Sequence, residues 1–368
     1  MVIGFVYLYK KRMLVKNYKQ NLNTLTLNLI RVFLAINIAF YFSGCSRLLI
    51  KKDISNTPLH CFDMMSSAVD THYSLFAEKK VNWEKLTKMY RTRVYDSMTQ
   101  DSLFVVMSGL LARLNDGHVN LFSSTDKSRN WHWKEDFADN YNEAFVQRQY
   151  LKSNFKITGP FYHNFLRDSV GYITYRSFAA NFTTEELDYI LQRYRNSPAL
   201  IIDIRDNGGG ALQNALTLML PFSTKSKTLL GYSYRKSGPL RTDFSKGKAF
   251  ELPPARKNKT FQKPVFVLIN RGTYSAANYY AAFMSVLPNV TLVGDRTGGG
   301  GGIPISFDLP NGWQYRMSAS YTTLPNGTSI ESGVAPDVEV ATNASDELIF
   351  KDKIIERALE LAIKGNRE

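Results

Sequence analysis

The spacing of apolar residues changes character along this chain. Over residues 59–114 they recur at three- and four-residue steps. The pattern is most regular in L-F-V-V-M-S-G-L-L-A-R-L (103–114), where Leu103, Met107, Leu110, Leu111 and Leu114 share one face. That period predicts helices. The following N-D-G (115–117) supplies residues that end them. Residues 123–165 are aromatic and polar, with W-H-W at 131–133 and no clear period. From residue 170 onward strand-like and helix-like runs alternate. Residues 170–178 alternate like a strand, and T-T-E-E (183–186) has capping-box spacing and opens a helical pattern to about Tyr194. A-L-I-I-D-I (199–204) and P-V-F-V-L-I (264–269) read as fully buried strands. Helices are predicted near 211–220 and 276–287, and short strands near 289–294, 305–309 and 313–320. An amphipathic helix over 345–364 carries Ile354, Ile355, Ala358, Leu361 and Ala362 on one side. Strands alternating with helices predict an α/β core around a largely parallel sheet.

The amino terminus changes the picture of the first 58 residues. A basic stretch ending at Arg31 precedes the apolar run V-F-L-A-I-N-I-A-F-Y-F (32–42), then S-G-C-S (43–46). A run of about 11 residues is short for a spanning helix and suits the apolar region of a signal peptide. The small residues before Cys45 resemble a bacterial lipobox, which implies a signal peptide over 1–44, a lipidated Cys45 and a polar tether over 45–58. A plain signal peptide or an uncleaved anchor are the alternatives, and Met13 is an alternative start. The expected location is the periplasm or outer membrane of a Gram-negative bacterium, with the membrane reached through the lipid anchor.

Charge adds little to this. The 368 residues carry a net charge of +14, of which six cations lie in 1–44 without a single acid. The remaining excess is spread without a dominant basic block, so nucleic-acid binding is not expected. With only Cys45 and Cys61 present, lipidation of Cys45 leaves no pair for a disulfide. The five histidines form no H-x-x-x-H pair, and no metal or cofactor is expected.

Five stretches could carry chemistry. Ser275 lies where the run 264–269 gives way to the alanine-rich helix, and such a serine is either an N-cap or an exposed nucleophile. His118 in D-G-H (116–118) is either a structural histidine or a base with a pKa near neutrality. R-D-N-G-G-G (205–210) follows a buried strand, and successive glycines there let backbone N–H groups face an anion. It lacks the G-K-[ST] of a phosphate-binding loop. The run Gly298–Gly302 reads by default as a flexible loop, and Glu331 is a carboxylate beside a turn. Nucleophilic catalysis needs these parts together: a serine, a base, a carboxylate to fix the imidazole, and N–H donors from Gly209 or Gly210 with Ala276.

Residues 100–340 resemble the C-terminal-processing (tail-specific) and tricorn-type serine peptidases. The resemblance rests on L-N-D-G-H (114–118), G-Y-I-T-Y-R-S-F (171–178), I-I-D-I-R-D-N-G-G-G (201–210), V-L-I-N-R-G-T-Y-S-A-A (267–277), L-V-G-D-R-T-G (292–298), L-P-N-G (309–312) and G-V-A-P-D (333–337). It implies a ClpP/crotonase-like (β-β-α superhelix) core over 161–345. A helical N-terminal domain over 59–160 and a C-terminal helix over 346–368 complete that organisation. It also implies Ser275 as nucleophile. The tail-specific branch places a lysine where this chain has Gly300, so the resemblance implies the tricorn-like alternative: His118 as base and Glu331 as orienting carboxylate. Glu331 stands one residue off the family's E-x-x-G spacing. Many relatives insert a PDZ domain between the D-G-H and G-Y-I motifs. Here 52 residues separate His118 from Gly171, too few for one, so capture of a protein C-terminus by strand addition is not expected. The implied substrate is a peptide or unfolded protein. A non-catalytic apolar-ligand or peptide-binding protein on the same scaffold is the alternative.

Overall fold

The structure is a computed structural model that describes residues 55–137, 139–255, 259–341 and 351–364. The predicted signal segment, Cys45 and the first residues of the predicted C-terminal helix lie outside these. From Asn56 onward the described residues belong to one unit.

The helices follow the three- and four-residue pattern of the sequence. Four come first: α1 (Pro58–His72), α2 (Phe76–Lys79), α3 (Trp83–Arg91) and α4 (Gln100–Ala112). Short turns α5 (His132–Glu135) and α6 (Glu143–Val146) follow, then α7 (Thr184–Tyr194), α8 (Leu212–Met219), α9 (Ala276–Met284) and α10 (Lys353–Lys364). The predicted face of α4 is buried, including Leu114 just past its end. The chain then leaves the helix through Asn115 at φ +47°. On α7 the capping box forms as read: Thr183 Oγ1 accepts from the Glu186 N–H, and Glu186 Oε2 accepts from the Thr183 N–H. On α10 the buried set includes Leu359, and Leu361 is only partly covered.

Seven strands make the main sheet: β2 (Lys156–Thr158), β3 (Phe161–Phe165), β4 (Gly171–Tyr175), β5 (Leu200–Asp203), β8 (Val265–Ile269), β9 (Val290–Gly294) and β13 (Val338–Glu339). Their order is β13-β9-β8-β5-β4-β3-β2. The pairs from β4 to β13 are parallel, and β3 and β2 add an antiparallel edge. This is a mixed α/β fold with a predominantly parallel central sheet.

Strand alternation sorts side chains between the two faces. Ile173, Leu200, Ile202, Val265, Val267 and Ile269 pack with α7, α8 and α9. Tyr172, Ile201, Phe266 and Leu268 pack with α10 and with Phe145, Val146, Tyr150 and Leu151. Because α9 is covered all round, every residue from Ala276 to Met284 is buried, and its small alanines let the chain pass between layers.

Six further strands form two smaller sheets. β1 (Asn120–Phe122), β11 (Gln314–Ser318) and β10 (Pro304–Asp308) make one; β12 (Ser320–Thr323), β6 (Thr228–Arg235) and β7 (Lys248–Leu252) make the other. The single strand expected over 313–320 is therefore two, divided at Ala319 between the sheets. Helices α1–α4 share a core with Leu309, Trp313, Tyr315 and Met317, so the segment leading to His118 is packed against strands from the far end of the chain.

Candidate active site

Ser275 sits at the N-cap position of α9, yet its side chain makes no capping bond. Its backbone is at φ +56°, ψ −123°. Such a conformation costs a non-glycine residue about 1–3 kcal/mol and persists only where surrounding contacts over-determine it. Here they do. Tyr274 N–H donates to the Asn207 carbonyl (3.0 Å) and Ser275 N–H to the Gly299 carbonyl (2.9 Å), clamping the turn from both sides. The hydroxyl is turned toward His118: Ser275 Oγ and His118 Nε2 are 2.9 Å apart. Two residues 157 positions apart are thus brought into hydrogen-bond contact.

His118 is buried, with its backbone N–H donating to Asp116 Oδ1 at 2.8 Å. Burial holds its pKa below the ordinary histidine value, aided by the Arg316 and Lys79 charges. Asp116 and the Gly302 backbone act in the opposite sense. The ring is therefore neutral at neutral pH, the state in which Nε2 can accept the serine proton. Its Nδ1 is buried and makes no hydrogen bond to any of the described residues.

Glu331 is buried close by, but its bonds go elsewhere. Oε1 pairs with Lys79 Nζ at 2.8 Å, and Oε2 accepts from the Gly302 N–H at 3.2 Å. The structure brings Ser275 and His118 together and leaves Glu331 without a hydrogen bond to His118. Burial pushes the Glu331 carboxyl up to about 7, and the Asp116 charge adds to this. The Lys79 ion pair opposes both.

The glycine turn after β5 meets the serine turn directly. A Cβ on Gly209 (φ +96°) would lie 2.7 Å from Ser275 Cβ and 2.9 Å from Ala276 N. The Gly209 N–H is engaged by Asn207 Oδ1 at 3.0 Å. No protein acceptor among the described residues takes the N–H of Gly210 or Ala276. The turn's Arg205 faces inward: its guanidinium is fully buried on Asp203 and Asp352.

The run Gly298–Gly302 is buried throughout, and the flexible loop expected there is a packed segment. Side chains would clash along it, with a Cβ on Gly299 falling 1.9 Å from the Glu331 carbonyl and one on Gly300 falling 2.6 Å from the Tyr274 ring. Glycine here lets the chain thread between Tyr274 and Glu331.

Sequence reasoning passed over four contributors. Asp116 Oδ2 accepts from Ser318 Oγ at 2.8 Å, making a buried carboxylate beside the histidine. Lys79 pairs with Glu331 across 252 positions. Tyr274 stacks on Trp133, with centroids 3.9 Å apart and planes at 18°. Only Asp116 carried a signal, two residues before His118 in D-G-H, where an Asx side chain accepts from the backbone.

A strained serine at a helix N-terminus, bonded to a buried neutral histidine and set against a glycine turn, has the layout of a serine hydrolase. Residues 169–340 match peptidase family S41, and residues 56–112 match the tricorn protease C1 domain. The chain is similar to the crystal structure of a putative peptidase from Parabacteroides merdae ATCC 43184, with 36% identity and a TM-score of 0.79. That match covers 84% of this chain and 97% of that one. It is also similar to the carboxy-terminal processing protease CtpA of Bacillus subtilis (strain 168), 27% identical over 175 residues covering 47% of this chain and 35% of CtpA. The carboxyl-terminal-processing protease of Synechocystis sp. (strain ATCC 27184 / PCC 6803 / Kazusa) is 31% identical over 175 residues, with coverage of 46% and 37%. The chain belongs to peptidase family S41, a family of serine-type peptidases. It spans roughly a third of the length of the two processing proteases.

Proposed function

We propose that this protein hydrolyses peptide bonds in peptides or unfolded proteins through an acyl-enzyme on Ser275. The observation that carries this is the 2.9 Å contact between Ser275 Oγ and His118 Nε2, made by a serine held in a strained turn. As Oγ attacks the scissile carbonyl, its proton passes to Nε2. The carbonyl oxygen becomes an oxyanion and takes the free N–H groups of Ala276 and Gly210, with Gly209 giving the turns their close approach. Preorganised donors of this kind supply the largest share of such catalysis. Collapse expels the amine, which leaves with the proton from His118. Water then attacks the acyl group with His118 again as base, releasing the acid and restoring Ser275. Glu331 supplies the negative charge that stabilises the imidazolium between these steps. The catalytic core is of the ClpP/crotonase-like type, preceded by the helical segment that ends at His118.

The protein is further proposed to be exported, with Cys45 as a lipidated first residue. Two acyl chains give stable membrane attachment where one is marginal. No helix among the described residues is long and apolar enough to cross a membrane.

Hydrolysis of an unfolded protein such as casein tests the central reading. Ser275→Ala and His118→Ala should each lower kcat on the order of 10³-fold or more. Retention of wild-type hydrolysis by Ser275→Ala would overturn it.

A further inference from the structure

The charges around His118 do not end with the three residues assigned to catalysis. Glu331 is packed by four parts of the chain, each presenting an ionisable group. Among the described residues, helix α2 presents Lys79 and Glu78, the residue after α1 presents Tyr73, the loop after α4 presents Asp116, and the turn into α9 with its first residues presents Tyr274 and Tyr279; Lys79 and the Gly302 backbone act on His118 as well. Glu78 is itself held by the Ser329 hydroxyl (2.9 Å to Oε2), on the loop that leads to Glu331. Arg316 on β11 faces Asp116 and His118, anchored by Asn120 Oδ1 at 2.8 Å.

Two buried carboxylates, Asp116 and Glu331, therefore share one region with the histidine. Burial opposes ionisation of Glu331, and the Asp116 charge opposes it further. Asp116 is supported by a hydroxyl and a backbone N–H. Among the described residues Glu331 has the Gly302 N–H and one cation, the ammonium of Lys79, whose side chain is 17% exposed against 2% for Glu331. Lys79 comes from the helical segment at 56–112, outside the stretch matched to the peptidase family.

We propose that Lys79 is a positioning residue for the hydrolytic reaction: its ion pair keeps Glu331 ionised, and so able to stabilise the imidazolium of His118. This rests on the Ser275–His118 reading above. An ionised Glu331 offsets the positive charge that appears on His118 during proton transfer, whereas a protonated one does not. Lys79 thus acts on the reaction through Glu331 and needs no contact with substrate.

The consequence is a pH signature. The Glu331 carboxyl lies near 7 even with Lys79 in place, and the His118 ring lies below its ordinary value. The acid limb of the reaction therefore follows Glu331: rate rises as pH passes through about 7 and the carboxylate forms. Removing the cation raises the Glu331 pKa further. An adjacent opposite charge is worth about one to three pH units, so Lys79→Met should move the limb alkaline by about that amount.

The experiment measures second-order inactivation of the full chain by a fluorophosphonate across pH 5–10. Wild type, Lys79→Met, Lys79→Arg, Glu331→Gln and Lys79→Met/Glu331→Gln are compared. Lys79→Met is expected to lose about tenfold or more at pH 7 and to recover at alkaline pH, as a limb shift of that size requires. Lys79→Arg should restore the wild-type limb. Glu331→Gln should lose the limb near 7, and adding Lys79→Met to it should bring back no limb there and shift none, leaving only the direct effect of the lost cation on His118. A uniform loss in Lys79→Met with the limb unmoved would overturn the proposal, as would an unchanged limb in the near-isosteric Glu331→Gln. Ser275→Ala run alongside separates the two readings. Labelling that survives it refutes the site itself, while an unmoved limb with Ser275→Ala unlabelled refutes only the role of Lys79.

Discussion

Substituting Gly209 by alanine tests whether the glycine turn must touch the nucleophile. The residue is at φ +96°, and the added Cβ would stand 2.7 Å from Ser275 Cβ, 2.7 Å from the Tyr274 carbonyl and 2.9 Å from Ala276 N. Carbon atoms pack best at about 3.5–4.0 Å, so the contacts to the serine turn fall short by roughly 1 Å. Overpacking of this kind costs about 1–3 kcal/mol, and the left-handed backbone about 1–3 kcal/mol more. The protein can relieve the overlap only by moving the Gly209 turn or the Ser275 turn. A displacement of about 1 Å at a reacting group costs on the order of 10²-fold in rate. Gly209→Ala should therefore lower kcat by about that factor with a much smaller change in KM, and should lower the melting temperature. Gly208→Ala is the matched control. Its Cβ would meet nothing within 4 Å, so stability should stay within about 0.5 kcal/mol of wild type and kcat should be unchanged. Steady-state kinetics and thermal melts of the two variants decide the matter. A Gly209→Ala enzyme with wild-type kcat and melting temperature would refute the close approach of the two turns.

Two predictions concern the scaffold. Arg205 is fully buried between Asp203 (2.6 and 2.9 Å) and Asp352 (2.8 Å), so Arg205→Met leaves buried carboxylates unpaired and should cost about 3–5 kcal/mol in denaturant unfolding. Adding Asp203→Leu should recover part of that loss. His163 is buried between Thr158 Oγ1 and Tyr194 OH, and burial, with Arg193 and Lys156 nearby, lowers its pKa to about 4. The folded state thus favours the neutral ring. Its contribution is complete above the unfolded value of about 6.5 and is lost as pH falls from there toward 4, amounting to at most about 3 kcal/mol. Stability curves of His163→Gln should fall less over that window than those of wild type.

The sequence made the parallel core legible because its strands are buried on both faces and its helices carry strong caps and regular apolar steps. Residues 199–204 and 264–269 are unbroken apolar runs, and Thr183 with Glu186 marks the start of α7. The hairpin of β6 and β7 gave no comparable signal. Its strands are half-exposed, with Tyr, Ser and Arg along β6 and a register shift between Leu229 and Gly231 that breaks the period. The edge strand β2 has three residues, two of them exposed, too few to display a period. Within the site, Ser275 and His118 were legible from the motifs around them. The ion pair of Glu331 with Lys79 was not, since it joins two isolated charges far apart in the chain. The buried path of Gly298–Gly302 was equally hidden, because glycine's lack of a side chain reads the same in a flexible loop and in a tight passage.

Labelling by a serine-directed fluorophosphonate, with the modified peptide identified by mass spectrometry, tests the central claim most directly. A hydroxyl activated by a neutral histidine 2.9 Å away should react, while the other serines of the chain stay unmodified. The account predicts a single adduct on Ser275, labelling lost in Ser275→Ala, and labelling slowed on the order of 10³-fold in His118→Ala. An adduct on another residue, or undiminished labelling of Ser275 in His118→Ala, would contradict it.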